Sequence, residues 1–171
     1  MRAFGSNGYL LRDARLEVRL VYTAFLLLAL IGMVTTAAFQ LHHIGPTPRR
    51  AAAYYRGGEV GGQMSFPKTF RQLVEATHFH AFVMGLVYLV LAHLFIATTV
   101  SPVLKQWLIV LAFGGLVGDL ASPWLICYGS SAFAHLLLVS WLAEWVGFGA
   151  FVAVPVRDMW FSQAGAEIPP E

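Results

Sequence analysis

Charged residues are scarce in this chain. Asp, Glu, Lys and Arg make up 12% of its 171 residues, whereas soluble domains carry about 25%. Hydrophobic residues make up 58% of the chain, and its mean hydropathy is +0.67. This balance excludes an ordinary water-soluble domain and favours a protein whose main solvent is lipid.

Cysteine is almost missing as well, and blocks of basic residues are absent. Cys127 is the only cysteine, so an internal disulfide is excluded, and no Cys-x-x-Cys-His sequence is present to attach c-type haem. The net charge is only +2, and no Lys/Arg run is interleaved with aromatic residues as nucleic-acid sites require. We therefore expect no nucleic-acid partner.

Long apolar runs are what the sequence has in abundance. Each of four runs is long enough to cross ~30 Å of hydrocarbon as a helix, which takes about 20 residues. As helices, these runs would be apolar on every side rather than on one face only, which is typical of membrane spans. The sequence predicts an all-α integral membrane four-helix bundle, a single domain over residues 1–171 in contact with the lipid bilayer. The predicted spans I to IV are residues 20–41, 78–100, 102–120 and 131–154.

Proline and glycine set the predicted ends of these spans. The run Gly45-Pro46-Thr47-Pro48 ends span I, and Ser101-Pro102 separates span II from span III. Ser122-Pro123 is expected to end span III and Pro155 to end span IV, because proline removes a helical hydrogen bond.

Residues 42–77 form a long connection between spans I and II, and its side of the membrane is called the outer side. Ser65 as N-cap with Pro67 in the first turn predicts a helix that begins near Phe66 and continues into span II. Basic residues are shared almost equally between the two sides. We expect a multi-pass protein of the bacterial plasma (inner) membrane with both termini in the cytoplasm.

Histidines crowd the outer ends of the predicted spans. Ionisable groups are costly in a membrane, so the few that are present indicate function. Haem b and other metals take neutral imidazole ligands. We predict that at least two of His43, His78, His80 and His135 lie within ligand reach of one centre, about 2 Å per bond. The outer candidates are His42, His43, His78, His80 and His135, with Asp119 of span III at the same level.

His93 stands apart, in the inner part of span II. It lies fifteen residues after His78, which is a net turn of about 60° and a rise of roughly 22 Å along the helix. Both residues therefore share one face, which suits two stacked cofactor levels inside a bundle. The metal candidates are His43, His78, His80 and His93, and His135 is a further candidate for binding a cofactor.

Glu144 is the acid inside span IV. It lies at about the depth of His93, so the sequence predicts that these side chains face each other and lower each other's cost in lipid. Such a pair could bind a quinone head group and carry its protons, or it could orient His93 as a haem ligand. Glu144 and Asp119 are therefore the candidates for proton or quinone chemistry, and no residue is assigned a catalytic role.

Other interpretations of the same residues stay open. A histidine at a membrane interface is often only an amphipathic side chain with its tip in headgroup water. A copper or zinc site on His43, His78 and His80 has suitable ligand types. Glu75-x-x-His78 has the spacing used in di-iron bundles, although those sites need the motif twice.

Several short runs resemble a pattern in small bacterial four-span membrane proteins. These runs are Tyr54-Tyr55-Arg56-Gly57, Phe66-Pro67-Lys68-Thr69-Phe70, Glu75-Ala76-Thr77-His78-Phe79-His80 and Asp119-Leu120-Ala121-Ser122-Pro123-Trp124-Leu125. The resemblance implies the fold but no activity.

At a looser level, the helix count and the spacing of His78 and His93 resemble small di-haem cytochromes b of respiratory membranes. That resemblance implies haems that are each held by two histidines on two helices. Because no second histidine lies at the level of His93, it implies an outer haem rather than an inner one.

The sequence thus leads to a first functional hypothesis and a rival. The first is a cytochrome b-like electron-transfer protein with haem b at the outer end of the bundle, coupled to quinone and to a redox partner on the outer side. The rival is a non-catalytic accessory subunit of a larger respiratory or photosynthetic membrane complex. Whether the chain is an enzyme is left open.

Overall fold

Long helices account for most of the structure. It is a computed structural model that describes residues 9–162 apart from the side chain of Gln63, so residues 1–8 and 163–171 of the predicted domain lie outside the described residues. Within residues 9–162 the chain forms five α-helices and one two-stranded antiparallel hairpin. In chain order these elements are α1 (Leu16–Phe39), α2 (Pro48–Arg56), β1 (Gly58–Val60), β2 (Gln63–Ser65), α3 (Phe70–Ile96), α4 (Pro102–Trp124) and α5 (Ala134–Trp160).

Four of the helices, α1, α3, α4 and α5, are long and apolar enough to cross a membrane. Their outward faces carry many exposed large apolar side chains. Exposure of so much apolar surface to water is unfavourable, so lipid must cover these faces. The prediction of an all-α membrane helical bundle is confirmed, and the chain is a multi-pass membrane protein in contact with the bilayer.

The helix ends follow the predicted glycine and proline signals only in part. α1 continues as a π-helical turn, Gln40–Ile44, and ends at Gly45, and α4 begins at Pro102, as the sequence predicts. The prediction that Pro123 and Pro155 end spans III and IV is wrong. α4 passes through Pro123 and continues as a second π-helical turn, Leu125–Gly129, while α5 passes through Pro155.

Proline is tolerated inside these membrane helices because neighbouring groups compensate for the missing backbone donor. Pro123 removes the helical hydrogen bond to the carbonyl oxygen of Asp119, and the helix changes to a π-helical turn soon after it, at Leu125. Pro155 is buried in the bundle, where the rest of α5 is held by packing. A proline signal that would end a helix in water therefore does not end one here.

The start of α3 differs from the sequence prediction. Residues 66–69 are not helical, and α3 begins at Phe70 rather than near Phe66. The cap is Thr69, whose hydroxyl accepts from the backbone N–H of Gln72, while the Gln72 side chain accepts from the backbone N–H of Thr69. This reciprocal capping box satisfies two backbone donors at once. Thr69 is therefore the N-cap of α3, and Ser65, the predicted N-cap, lies in β2 instead.

Thr69→Ala is expected to lower the free energy of unfolding by about 0.5–2 kcal/mol, the usual cost of losing an N-cap. Unfolding by sodium dodecyl sulfate in mixed micelles, followed by circular dichroism, measures this change. Ser65→Ala is the matched control and should stay within about 0.5 kcal/mol of the original chain. Equal losses in the two variants would contradict the assignment of Thr69 as the cap.

The tightest packing in the bundle is between α4 and α5. Gly115 lies against the backbone of Ser140 and Glu144, where an added Cβ would come within 3.0 Å of the Ser140 carbonyl oxygen. Gly147 faces Ala112 in the same way. Small residues let membrane helices approach this closely, because association in lipid depends on packing rather than on hydrophobic burial.

α2 forms a roof over the outer end of the bundle, a helix that the sequence analysis did not predict. Its Ala51 is fully buried in a cluster that includes Ile126 and Leu137. The Arg56 side chain donates to the carbonyl oxygens of Ile126 at 2.9 Å and Gly129 at 3.3 Å. This cation at the end of the α4 segment satisfies carbonyl groups that have no helical partner.

α1 is the most loosely held of the long helices. Only Leu26 and Met33 of α1 are buried. Two tryptophans of α5 hold it near its two ends: Trp145 donates to the Gln40 side chain at 3.2 Å, and Trp160 donates to the hydroxyl of Thr23 at 2.9 Å. α1 is therefore held mainly by its contacts with α5.

Candidate functional site

A cavity of about 300 Å³ lies in the outer half of the bundle, between α1, α3, α4 and α5 and beneath the roof of α2. Its volume is at the lower end of the range for small-molecule sites, about 300–1,000 Å³. Most of its wall is apolar or aromatic, and polar side chains enter it at a few points. This combination is typical of a ligand-binding site.

The cavity opens sideways, on the side of α1 and α3. The parts of its wall that come from α4 and α5, such as Leu116 and Glu144, are buried. On α1 and α3 several wall residues are exposed, among them Phe39, Ala76 and His80, although Leu73 of α3 is buried. Because α1 packs chiefly against α5 and these exposed residues lie on α1 and α3, we infer that the cavity opens between α1 and α3, towards lipid.

Two carboxyl groups lie on the deep wall of the cavity. Trp141 donates its indole N–H to Oδ1 of Asp119 at 2.8 Å. Glu144 is only 2% exposed, and its Oε1 is a buried atom with no hydrogen-bond partner among the described residues. Buried polar atoms in proteins are nearly always paired, so the open position at Glu144 indicates a ligand or an ordered water.

His80 brings an imidazole to the same cavity. Its Nδ1 lies 2.8 Å from the carbonyl oxygen of Ala76, one turn earlier in α3. A carbonyl oxygen only accepts hydrogen bonds, so Nδ1 must carry the hydrogen, and Nε2 of the neutral ring presents its lone pair. His80 is therefore held in one tautomer, with an acceptor or metal-ligand atom available.

The end of the cavity beneath the α2 roof carries hydrogen-bond donors. Lys68 places its ammonium group 4.0 Å from the centre of the Tyr54 ring. Burial, with a smaller effect from nearby Asp119, raises the pKa of the Tyr55 hydroxyl far above its ordinary value, so this hydroxyl keeps its proton. The Oε1 of Gln72 accepts from Thr69, which leaves the amide N–H groups of Gln72 for the cavity.

The other predicted cofactor ligands lie outside this cavity. His43 is exposed on the first π-helical turn and stacks on Phe39, and His78 is exposed beside Phe82. His135 is also exposed, and its Nδ1 lies 3.1 Å from the carbonyl oxygen of Ala132. Because His78 and His80 are two residues apart, they point to different sides of α3, and only His80 reaches the cavity.

The predicted pairing of His93 with Glu144 is not formed. His93 is exposed, its Nδ1 lies 3.0 Å from the carbonyl oxygen of Leu89, and no hydrogen bond or ion pair joins it to Glu144 among residues 9–162. Similar depth on two helices does not fix which way each side chain points. Here the rotation of α3 turns His93 outward, while α5 turns Glu144 inward.

A centre with several metal ligands is likewise not assembled in the described part of the chain. No group of three or more His, Cys, Asp or Glu side chains that could hold a metal ion is present between residues 9 and 162. In the single Glu75-x-x-His78 motif, Glu75 is bound to Arg71 at 2.7 Å and His78 contacts Phe82. The copper, zinc and di-iron interpretations therefore find no ligand set there.

A protein-family model, Aq_1264_TM, described as a transmembrane helical domain, matches residues 45–166. The chain belongs to this family. The matched segment includes α2 to α5, and α1 precedes it. Among curated proteins and solved structures, none matches the chain. The family description supports the membrane fold and assigns no activity to it.

In this Aq_1264_TM domain, the sequence analysis found part of the cavity and missed the rest. His80, Asp119 and Glu144 are among the predicted site residues, and they line one cavity. Gln40 and Tyr55 line it too and were not predicted. A signal existed for Gln40, because Thr36 and Gln40 are polar residues four apart in an otherwise apolar run.

Proposed function

We propose that this chain is an electron-transfer protein of the bacterial plasma (inner) membrane that binds the ring of a lipophilic quinone in the outer cavity. The observation that carries the proposal is the buried Glu144 carboxyl group, which lines a lipid-facing cavity together with Asp119 and His80. Ionisable side chains inside a membrane bundle typically mark a path for substrate, ions or protons.

The shape and polarity of the cavity suit a quinone. A quinone is a flat ring with polar oxygens at two ends and an apolar tail. Phe39, Leu116 and Trp141 supply apolar and aromatic walls for the ring, and the sideways opening lets the tail remain in lipid. Quinone redox chemistry moves protons together with electrons, and His80 and Glu144 are side chains that can accept and release protons.

Haem b, the cofactor that the resemblance to cytochromes b implies, has one possible protein ligand in this cavity. His80 presents Nε2 as a ligand atom, and none of the other described histidines lines the cavity. His80 could supply at most one axial ligand, so the described residues do not fit the two-histidine arrangement that the resemblance implies. When bound, haem would supply one-electron transfer to the site.

The loose packing of α1 favours a second candidate, a non-catalytic accessory subunit of a larger respiratory or photosynthetic membrane complex. Only two α1 side chains are buried in the bundle, so most of this helix is left for lipid or for another membrane protein to cover. In this alternative, the outer cavity would hold a structural lipid.

Photoaffinity labelling tests the proposed function on the full chain in lipid nanodiscs. A quinone analogue with an azido group on its ring is expected to label the walls of the outer cavity, in the segments around Gln40, Ala76 and Trp141. Excess unlabelled quinone should prevent the labelling. The exposed face of α3 around His93 is the internal control and should remain unlabelled.

An absorption spectrum of the purified protein, oxidised and reduced, accompanies this experiment and reports haem directly. Labelling that is spread over lipid-facing surfaces and insensitive to competing quinone would overturn the quinone proposal. Colourless protein that also co-purifies with large membrane subunits would favour the accessory-subunit alternative.

A further inference from the structure

The deep end of the outer cavity, meaning the end away from the α2 roof, is rich in hydrogen-bond acceptors: two are on the α4 and α5 wall, and one, His80, is on the exposed α3 side. Glu144 presents Oε1 without a partner, and His80 presents the lone pair of Nε2, because its Nδ1–H is directed at Ala76. Asp119 uses Oδ1 to accept from Trp141, which leaves Oδ2 as a third acceptor. A buried acceptor that remains unpaired costs about 1–3 kcal/mol, so a ligand that brings a donor is favoured here.

Protonation of Glu144 does not reverse this balance. One proton on the carboxyl group supplies one donor and leaves its second oxygen, His80 Nε2 and Asp119 Oδ2 as acceptors. The hydroxyl of Tyr88 is another buried polar atom without a described partner. Tyr88 does not line the cavity, so it offers no donor to a ligand there.

The end of the cavity beneath the α2 roof has the opposite character. Lys68, Gln72 and Tyr55 all line the cavity near the roof, and each has an N–H or O–H group to donate. Gln40 also lines the cavity, and because its Oε1 accepts from Trp145, its amide N–H groups are further donors. The titratable groups of the deep end are acceptors, and the groups near the roof are donors. A bound ring would be oriented by these groups, with its donor pointing inward and an acceptor pointing outward.

Oxidised and reduced quinones differ in this respect. The oxidised ring has two carbonyl oxygens, which only accept, whereas each hydroxyl of the reduced ring both donates and accepts. A carbonyl at the deep end would face Glu144, Asp119 and His80 with lone pairs on both sides. A hydroxyl there would donate to one of them, and the second hydroxyl could accept from Lys68 or Gln72.

We propose that the outer cavity is a site for the reduced, hydroxyl-bearing form of the ring, a quinol, with its deep hydroxyl donating to the acceptor cluster of Glu144, Asp119 and His80. This inference rests on the proposed function and names the redox form that the site selects. It concerns binding preference and is independent of which protein accepts the electrons.

Calorimetric titration of the full chain in nanodiscs tests the preference with three ligands that share a ring and a short tail. These are the quinol kept reduced under anaerobic conditions, the quinone, and the dimethyl ether of the quinol, which has the same shape but no hydroxyl donor. The quinol is expected to bind at least about tenfold more tightly than either of the others, which corresponds to about 1.4 kcal/mol.

Glu144→Gln should reduce or reverse this preference, because the amide offers N–H donors where the carboxylate offers only acceptors. Glu75→Gln is the matched control. Glu75 is exposed and paired with Arg71 outside the cavity, so its replacement should leave the ratio unchanged. Circular dichroism checks that the variants are folded, and Asp119→Asn provides a second test of the acceptor cluster if Glu144→Gln is not.

The possible outcomes separate the two proposals. If none of the ring ligands binds, the proposed function fails, and this inference fails with it. If the quinone binds as tightly as the quinol, or the ether matches the quinol, quinone binding stands and the preference is overturned. A long-chain alkylammonium that displaces the quinol at equal concentration would show instead that the acceptor cluster selects cations, which also overturns the quinol assignment.

Discussion

Gly147→Leu is expected to lower the free energy of unfolding by about 3 kcal/mol, the upper part of the usual range for an overpacked core. A Cβ added at Gly147 would lie 2.5 Å from Cβ and 2.8 Å from Cα of Ala112. The second contact is with the backbone of α4, so a side-chain rotation cannot relieve it, and the two helices must move apart. Unfolding in mixed micelles followed by circular dichroism measures the loss.

Gly149→Leu is the matched control for this prediction. It makes the same chemical change two residues later in α5, at a position with nothing within 4 Å of an added Cβ. We expect its stability to equal or slightly exceed that of the original chain, because leucine is a better helix former than glycine by up to about 1 kcal/mol. Similar losses at both positions would contradict the close approach of α4 and α5 at Gly147.

Ala76→Trp is expected to weaken quinol and quinone binding by at least about tenfold, or about 1.4 kcal/mol. Ala76 lines the cavity on α3 and is itself exposed, so an indole at this position would occupy the opening without entering the packed core. The stability of the bundle should therefore change little. Calorimetric titration in nanodiscs measures the binding, and circular dichroism measures the stability.

Ala81→Trp controls for the added aromatic surface. Ala81 is exposed on the same helix but does not line the cavity, so its replacement should leave binding unchanged. Unaltered binding in Ala76→Trp would show that the ring does not enter between α1 and α3. Equal weakening in both variants would show that the ligand only associates with the apolar surface of α3.

The membrane bundle was predictable from the sequence because hydrophobic length is a direct physical requirement of a span. Its detailed ends were less predictable. Pro123 and Pro155 are strong helix-ending signals in water, but α4 and α5 continue through them inside the bundle, with a π-helical turn following α4. α2 was missed because its buried residue, Ala51, packs on residues far away in the sequence, in α5 and in the turn after α4, and local sequence patterns do not reveal such contacts.

The candidate site was predictable in composition but not in geometry. Asp119, Glu144 and His80 were identified because charged and titratable groups are costly in lipid, and they do share a cavity. Which histidine points into the bundle depends on the rotation of its helix about the helix axis. Neighbouring positions differ by 100° in direction, so an error of one residue in the predicted inward face turns a side chain away from the cavity. The predicted partner of Glu144 was therefore wrong, and His93 lies on the outside.

The sideways opening between α1 and α3 determines which concentration of ligand sets the occupancy of the cavity. A ligand that enters from the bilayer arrives by two-dimensional diffusion, and its effective concentration is its mole fraction among the lipids rather than its concentration in the aqueous buffer. Occupancy of the cavity should then follow the ligand-to-lipid ratio. Adding empty liposomes at constant total ligand would therefore lower the fraction of cavities that hold a ligand. For a competitor of this site, lipid solubility would count as much as its fit to the cavity walls.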